Sequence, residues 1–139
     1  MASPMDEPLV QIVTVADGGD ERGSSFTLPD AWNRFLVALA DMHVTTIRPG
    51  HTRGNHYHAR HREILVVIYE DTWAFNWDSG AGTTVEHRTF DGKGAAVIEI
   101  QPSASHAVVN TGRREIVVLG MSDARYNPAS PDAYPRPVV

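Results

Sequence analysis

The stretch Gly50-His51-Thr52-Arg53-Gly54-Asn55-His56-Tyr57-His58-Ala59-Arg60-His61-Arg62-Glu63 holds four of the seven histidines and sits between two apolar segments. In extended backbone, residues two apart face the same way. His56 and His58 would therefore present two imidazoles on one side, with Tyr57 packing on the other. If Ala59 to Arg62 turn the chain, Glu63 opens the returning strand and can stand beside the pair, with Leu65 and Val67 continuing its face into the interior. Neutral imidazole and carboxylate together suit Zn, Fe, Mn, Ni or Cu, and the spacing does not choose among them. An isolated His-x-His is more often surface decoration. Imidazole and charged groups facing the interior of a small barrel must instead be paired or coordinated, because burying them bare costs several kcal/mol or forces neutralisation.

A second group lies downstream, where His106, Val108 and Asn110 share one strand face. Taken alone it is weak: a histidine at a strand start is commonly a hydrogen-bonded structural residue, and Asn110 before Thr111-Gly112 suits a turn.

The composition narrows what such residues could do. A chain of 139 residues supports one sizeable core, so any site must be built within a single domain. With 42% hydrophobic and 21% charged residues it has globular composition. The formal net charge of -5 argues against sequence-independent nucleic-acid binding, which needs a surplus of Lys and Arg to replace phosphate counterions. Lys93 is the only lysine, so the basic side chains are mostly arginines, suited to bidentate contacts with phosphate or carboxylate and not to Schiff-base chemistry. The absence of cysteine excludes disulfides, thiolate metal sites and cysteine nucleophiles, leaving His and carboxylate to hold any metal. The first ten residues lack a basic region followed by an apolar stretch, and no apolar run approaches the ~20 residues of a membrane span, so the expectation is a cytoplasmic protein with no membrane partner.

Elements able to position the histidines follow from the pattern. From Met42 onward, MHVTTI, EILVVIY, TWAFNW, TVEHRTF, AAVIEI, HAVVN and EIVVLGM are strand-length segments. They are separated by Pro49-Gly50, Asp78-Ser79-Gly80, Asp91-Gly92, Pro102 and Thr111-Gly112. This spacing predicts an all-β sandwich or barrel. Trp73, Phe75 and Trp77 alternate with small or polar residues, giving one aromatic face that packs on the core or, as the lesser alternative, lines the pocket. Pro29 to Ala40 reads as a helix, with Trp32, Phe35, Leu36 and Leu39 at helical spacing, or nearly as well as extended chain. The boundaries predicted are an N-terminal arm over 1–40, a barrel core over about 40–122 and a Pro-rich C-terminal tail over 123–139, both ends non-regular. There is no internal repeat, no GxGxxG and no GxxxxGK[ST], so neither a dinucleotide fold nor a P-loop has support.

GHTRGNHYHARHRE resembles the first cupin motif, a Gly, five residues, HxH, four residues and Glu, and HAVVN resembles the end of the second, a His, three residues and Asn. The resemblance implies a single-domain cupin β-barrel, the double-stranded β-helix or jelly roll. It also implies His56, His58, Glu63 and His106 as metal ligands, with one divalent ion per chain: zinc first, iron, manganese or nickel as alternatives. Two positions depart from the motifs. Glu70 lies near the place of the glycine that closes the first, and Ser103 stands where the second normally has Gly. The segments ArgGlyAsnHisTyrHis at 53–58, DERG at 20–23 and the tail ArgTyrAsnProAlaSerProAspAlaTyr further resemble RmlC-like cupins of nucleotide-deoxysugar metabolism. These are the 3,4-ketoisomerases of TDP-4-keto-6-deoxyglucose and the cupin domain of bifunctional capsule-sugar epimerase-reductases. Glu63 and the Pro-Asp tail favour the second branch, whose reductase half has no counterpart here.

What that resemblance implies is an isomerase or epimerase of polysaccharide biosynthesis that abstracts a proton beside the ketone of a nucleotide-linked 4-keto-deoxysugar. Histidine suits the proton transfers because its unperturbed pKa, ~6.5, is close to working pH. His56, His58, His61 and His51 are the candidate catalytic residues, and Arg53, Arg60 and His87 the candidate substrate contacts, the arginines toward the diphosphate. His87 is also a candidate base. Two other readings stand beside it: an iron-dependent cupin dioxygenase, since imidazole and carboxylate ligands with open positions suit mononuclear iron, and a non-catalytic ligand-binding cupin. A homodimer is expected; disorder is the simpler reading of the Pro-rich tail, and a segment lying across the partner subunit the other.

Overall fold

The computed structural model describes residues 7–139; the first six residues of the expected N-terminal arm lie outside the described residues. The strands are β1 (Val10–Val15), β2 (Asp41–Ile47), β3 (Thr52–Tyr57), β4 (Glu63–Tyr69), β5 (Trp73–Trp77), β6 (Glu86–Phe90), β7 (Gly94–Ile100), β8 (His106–Val109), β9 (Ile116–Ser122) and β10 (Tyr134–Pro135). They form two five-stranded antiparallel sheets, ordered β1-β7-β4-β9-β2 and β10-β3-β8-β5-β6. All seven apolar segments read from the sequence are strands.

The two sheets face each other across a core that contains Ile47, Leu65, Val67, Trp73, Phe75, Ile98, Val108 and Ile116. Trp73 and Phe75 are fully buried, and Trp73 stacks on Phe90 with ring centroids 4.2 Å apart. The aromatic face of β5 is thus core packing.

β4 is the central strand of the first sheet, flanked by β7 and β9, which explains why EILVVIY is apolar at almost every position. Leu65 and Val67 enter the inter-sheet core, while Ile64 and Val66 face outward into a second cluster with Trp32, Phe35, Val97 and Met121. The cover over that outer face comes from the segment before Ala40. A 3-10 turn (Asp30–Trp32) leads into α1 (Asn33–Ala38), and Leu39 returns to extended backbone so that the Ala40 N–H can donate to the Ser122 carbonyl at the head of β2. The helical reading of Pro29 to Ala40 holds over its middle. Upstream, the expected arm contributes β1, an edge strand paired with β7 from Val10 opposite Ile100 to Val15 opposite Ala95.

One local expectation is corrected. Ala59 to Arg62 do not close a hairpin, because β3 and β4 lie in different sheets, β3 beside β8 and β10, β4 between β7 and β9. The connection passes from one sheet to the other, so Glu63 faces the histidines across the gap between the sheets.

The Pro-rich tail is ordered as well. Tyr134 and Pro135 pair with Tyr57 and His56, and Val138 is buried. Asn55 Oδ1 accepts the Val138 N–H, Asn76 Nδ2 donates to the Val138 carbonyl, and Arg136 forms a two-pronged ion pair with Asp78. Proline removes donors and restricts φ, which hides such a segment from periodicity while leaving its carbonyls and side chains free to bond.

Ser103, the departure from the second motif, has φ 79° and so occupies the left-handed region that glycine enters without cost. Its N–H donates to the His58 carbonyl and its own carbonyl accepts from Arg136, which holds the residue there. Ser103→Gly is therefore expected to stabilise the fold. Relief of the ~1–2 kcal/mol left-handed penalty outweighs glycine's ~0.5–1 kcal/mol entropic cost. Thermal melting should show a rise of a few degrees; a fall would show that the serine side chain contributes more than its backbone strain removes.

Candidate metal centre

His56 ends up inside the barrel through a bulge. The pairing of β3 with β8 shifts register between Gly54 and His56, with Gly54 at φ 114° and Asn55 at φ 59°. Past this bulge His56 pairs with His106, the first residue of β8. The ring centroids of His56 and His106 are 5.1 Å apart, those of His56 and His58 4.9 Å, and those of His58 and His106 5.5 Å. One ring nitrogen from each of the three lies within 4.8 Å of the others. Glu63 completes the group: its Oε1 is 3.3 Å from His106 Nε2 and its Oε2 3.6 Å from His58 Nε2. His58, Glu63 and His106 are buried.

The outer nitrogens of two rings are committed. His58 Nδ1 lies 2.7 Å from the Asp132 carbonyl and His106 Nδ1 3.1 Å from the Ala104 carbonyl, and since a carbonyl only accepts, each Nδ1 carries the proton. In the neutral rings Nε2 then presents a lone pair toward the Glu63 carboxylate. His58 Nε2 is buried without a hydrogen-bond partner. Lone pair against carboxylate is repulsive, so positive charge is needed at this point: a proton on the ring, or a cation between the donors. Burial raises the Glu63 carboxyl, but bonds from His106 and His58 overcome this and hold it well below the usual carboxylate range. Burial lowers His58, and Glu63 with Asp132 outweighs it and raises the imidazole. His56, pushed down to about 4 first by burial and then by the neighbouring His106 and His58, is neutral at physiological pH. Three imidazoles and one carboxylate converging on an under-satisfied buried nitrogen fit a divalent ion.

These residues form the floor of a cavity of about 1140 Å³. Alternate residues of β2 line one wall, among them His43 and Thr45, and the segment Ala124 to Ala133 lines another. Arg53 and Arg60 reach its rim, joined by Arg125, and His61 stands inside with its ring 4.1 Å from that of His58. His61 Nδ1 is 2.9 Å from Asp132 Oδ2, leaving Nε2 as its free ring nitrogen.

Two candidates fall elsewhere. His51 sits in the exposed turn between β2 and β3 and does not line the cavity, although Thr52 and Arg53 beside it do. His87 is on β6 opposite Asn76, to which its Nδ1 is hydrogen bonded; Asn76 alternates with the inward Phe75, so both point outward. Tyr57 also faces out, stacked on Tyr134 and covered by the Arg136 guanidinium. Asn110 has the turn role: its Nδ2 donates to the Ile47 and Arg114 carbonyls and its Oδ1 accepts the Gly112 N–H.

Sequence reasoning passed over His43, Arg125 and Asp132. His43 had a readable signal, since period two puts it on the face of Ile47, and Gly120 opposite leaves it room, an added Cβ there falling 2.7 Å from the imidazole. Arg125 and Asp132 lie in the tail segment that carries part of the family resemblance, but in chain without period, where no local rule points a side chain inward.

Two facing antiparallel sheets with a histidine and carboxylate cluster between them have the RmlC-like cupin fold. The chain belongs to the polysaccharide biosynthesis C-terminal domain family, whose model matches residues 18–134. Over 89 residues it is 28% identical to the UDP-2-acetamido-2,6-beta-L-arabino-hexul-4-ose reductase of Pseudomonas aeruginosa, a match covering 64% of this chain and 24% of that protein. Among solved structures it is similar to the capsular polysaccharide assembling protein CapF of Staphylococcus aureus (TM-score 0.64, 21% identity, 89% of this chain and 34% of that one). It is also similar to the 3,4-ketoisomerase QdtA of Thermoanaerobacterium thermosaccharolyticum, solved with TDP-4-keto-6-deoxyglucose (TM-score 0.67, 12% identity, 91% and 86%). A third is the rmlC epimerase of Mycobacterium tuberculosis (TM-score 0.68, 18% identity, 89% and 68%). The chain thus spans about a quarter of the reductase and about a third of CapF. Among the described residues no helix is long and apolar enough to cross a membrane.

Proposed function

We propose that this chain is a metal-binding cupin that isomerises or epimerises a nucleotide-linked 4-keto-deoxysugar by moving a proton on a carbon next to the ketone. The observation that carries the reading is the donor set: one ring nitrogen each of His56, His58 and His106 within 4.8 Å of the others, and Glu63 reaching His58 and His106, in a cavity lined by three arginines. The fold shared with a 3,4-ketoisomerase solved with TDP-4-keto-6-deoxyglucose, and with the rmlC epimerase, supports the substrate class.

His56, His58, Glu63 and His106 would hold the ion. A bound divalent cation supplies Lewis-acid polarisation of the ketone, which acidifies the neighbouring C–H. Ligand histidines have no lone pair left for a proton, so the base must be another group. His61 is the candidate from the first motif that lines the cavity, and its free Nε2 can take the proton and return it to the adjacent carbon. Arg53, Arg60 and Arg125 would fix the diphosphate by charge-assisted hydrogen bonds. Arg53 is held in place by donating its Nε–H to the Thr46 carbonyl, which costs it little reach because the other guanidinium donors stay free.

Two measurements test this. Elemental analysis of protein purified without chelator should give one divalent ion per chain, lost in both Glu63→Ala and His106→Ala; retention of stoichiometric metal in both variants overturns the ligand assignment. In D₂O without oxygen, the wild type should place deuterium beside the ketone of a 4-keto-6-deoxy nucleotide sugar, and His61→Gln should lower the rate by 10²–10⁴-fold. No exchange by metal-loaded wild type overturns the proton-transfer reading.

A further inference from the structure

Asp132 makes four polar contacts with His58 and the three residues after it, and it comes from the tail. Its backbone carbonyl is 2.7 Å from His58 Nδ1. Its Oδ1 accepts the Ala59 N–H and its Oδ2 the Arg60 N–H, each at 2.9 Å, while Oδ2 also lies 2.9 Å from His61 Nδ1. One residue thus satisfies the two N–H groups that follow His58 and a ring nitrogen on each of two neighbouring histidines. The Asp132 side chain is only 11% exposed, so these bonds form in a partly desolvated setting where they direct geometry strongly.

From this we infer that Asp132 is a positioning residue that fixes the Nδ1–H tautomers of His58 and His61, so that docking of the C-terminal tail and readiness of the site to take a cation are one event. The inference rests on the reading of His58 as a ligand. A histidine ligates through the nitrogen that does not carry the proton, and the partner of the other nitrogen decides which that is. Without a carbonyl at Nδ1 the His58 ring could keep its proton on Nε2, the atom that faces Glu63 and would meet the ion. The carboxylate acts one step further out. By gripping the Ala59 and Arg60 N–H groups it sets where the loop leaves β3, and so keeps the carbonyl and the ring in register. The same carboxylate leaves His61 Nε2 unprotonated and open to the cavity. Tail residues from Ala124 to Ala133 line that cavity, so the element that completes the wall also sets the donors on the floor.

The test compares Asp132→Ala with Asn76→Ala, which removes a tail contact remote from the cluster, the bond to the Val138 carbonyl. Both should lower Tm by a few degrees. In metal-free protein at alkaline pH, long-range ¹H–¹⁵N spectra of the imidazoles should show His58 and His61 as Nδ1–H forms in wild type and in Asn76→Ala, and shifted toward Nε2–H in Asp132→Ala. Zinc affinity, from competition with a chromophoric chelator, should fall 10–100-fold in Asp132→Ala, recover in part in Asp132→Asn, and stay near wild type in Asn76→Ala. Unchanged tautomers in Asp132→Ala, or equal loss of affinity in both alanine variants, overturns the inference by reducing Asp132 to a tail anchor. If wild type binds no zinc, the ligand reading fails on its own, and the tautomer spectra still decide the role of Asp132.

Discussion

Gly54→Ala is expected to lose about 3 kcal/mol or more of stability, a fall in Tm on the order of 10 °C, together with the ability to hold a cation. A Cβ built on Gly54 would lie 2.5 Å from the His106 carbonyl oxygen and 2.9 Å from Ala107 Cα, closer than real Cβ atoms come. Both neighbours are backbone, so no rotamer change relieves the overlap. The φ of 114° adds strain that an L-residue cannot shed in place. Relief requires β3 to move off β8 at the bulge that brings His56 opposite His106. The same substitution at Gly50, where φ is 80° but a Cβ would meet nothing within 4 Å, isolates the backbone term and should cost only ~1–2 kcal/mol with full metal content. Chemical denaturation with metal analysis of both variants decides it. A Gly54→Ala protein with wild-type stability and metal would show that the close approach of the strands does not set the site.

This pair also shows what the sequence made legible. The all-β class, the seven strands and the aromatic face of β5 could be read because a half-buried strand writes its period into residue types. His56, His58, Glu63 and His106 could be grouped through motif spacing, and they do meet in space. The path that brings them together could not be read. Ala59 to Arg62 carry the residues of a turn whether the chain folds back on β3 or crosses to the other sheet, and only the partners of β4, which are distant in sequence, settle it. The glycine at 54 looks like any loop glycine until His106 is packed against it.

Residue type misled where orientation decides. His51 and His87 have the right chemistry, but one sits in an exposed turn and the other on the outward face of an edge strand. Asp132 was hidden for the opposite reason. Part of its contact with the site is made by a backbone carbonyl, which every residue has, and its carboxylate meets residues more than 70 positions away. Composition reports neither. Ser103 is the intermediate case: the departure from glycine was visible, and its meaning became clear once its left-handed φ was known.

The tail's hold on the barrel should itself depend on pH, through Asp78 and Arg136. Asp78 lies at the end of β5 with its side chain 5% exposed; its Oδ2 accepts from Arg136 Nε and its Oδ1 from Arg136 Nη2, each at 2.8 Å. Oδ1 also accepts the Ser105 and Gly80 N–H groups. Burial raises the carboxyl, but the guanidinium and the two N–H groups overcome it and hold Asp78 below the usual carboxylate range. A folded-state pKa depressed in this way means stability that is fully present above the unfolded value, ~3.9, and is lost as pH falls through the folded one. Asp78→Asn should therefore cost about 3 kcal/mol at pH 7, the low end for breaking a buried pair because Arg136 stays partly solvated. The difference from wild type should shrink steadily below pH ~4, where the wild-type carboxyl is itself taking up a proton. Urea titrations at pH 7 and pH 3 measure the gap. A constant difference across that range would assign the effect to the turn bonds of residue 78 and not to its charge. Because Arg136 follows directly on β10 and the cavity wall precedes it, the same variant should expose the tail to trypsin at neutral pH before the barrel unfolds.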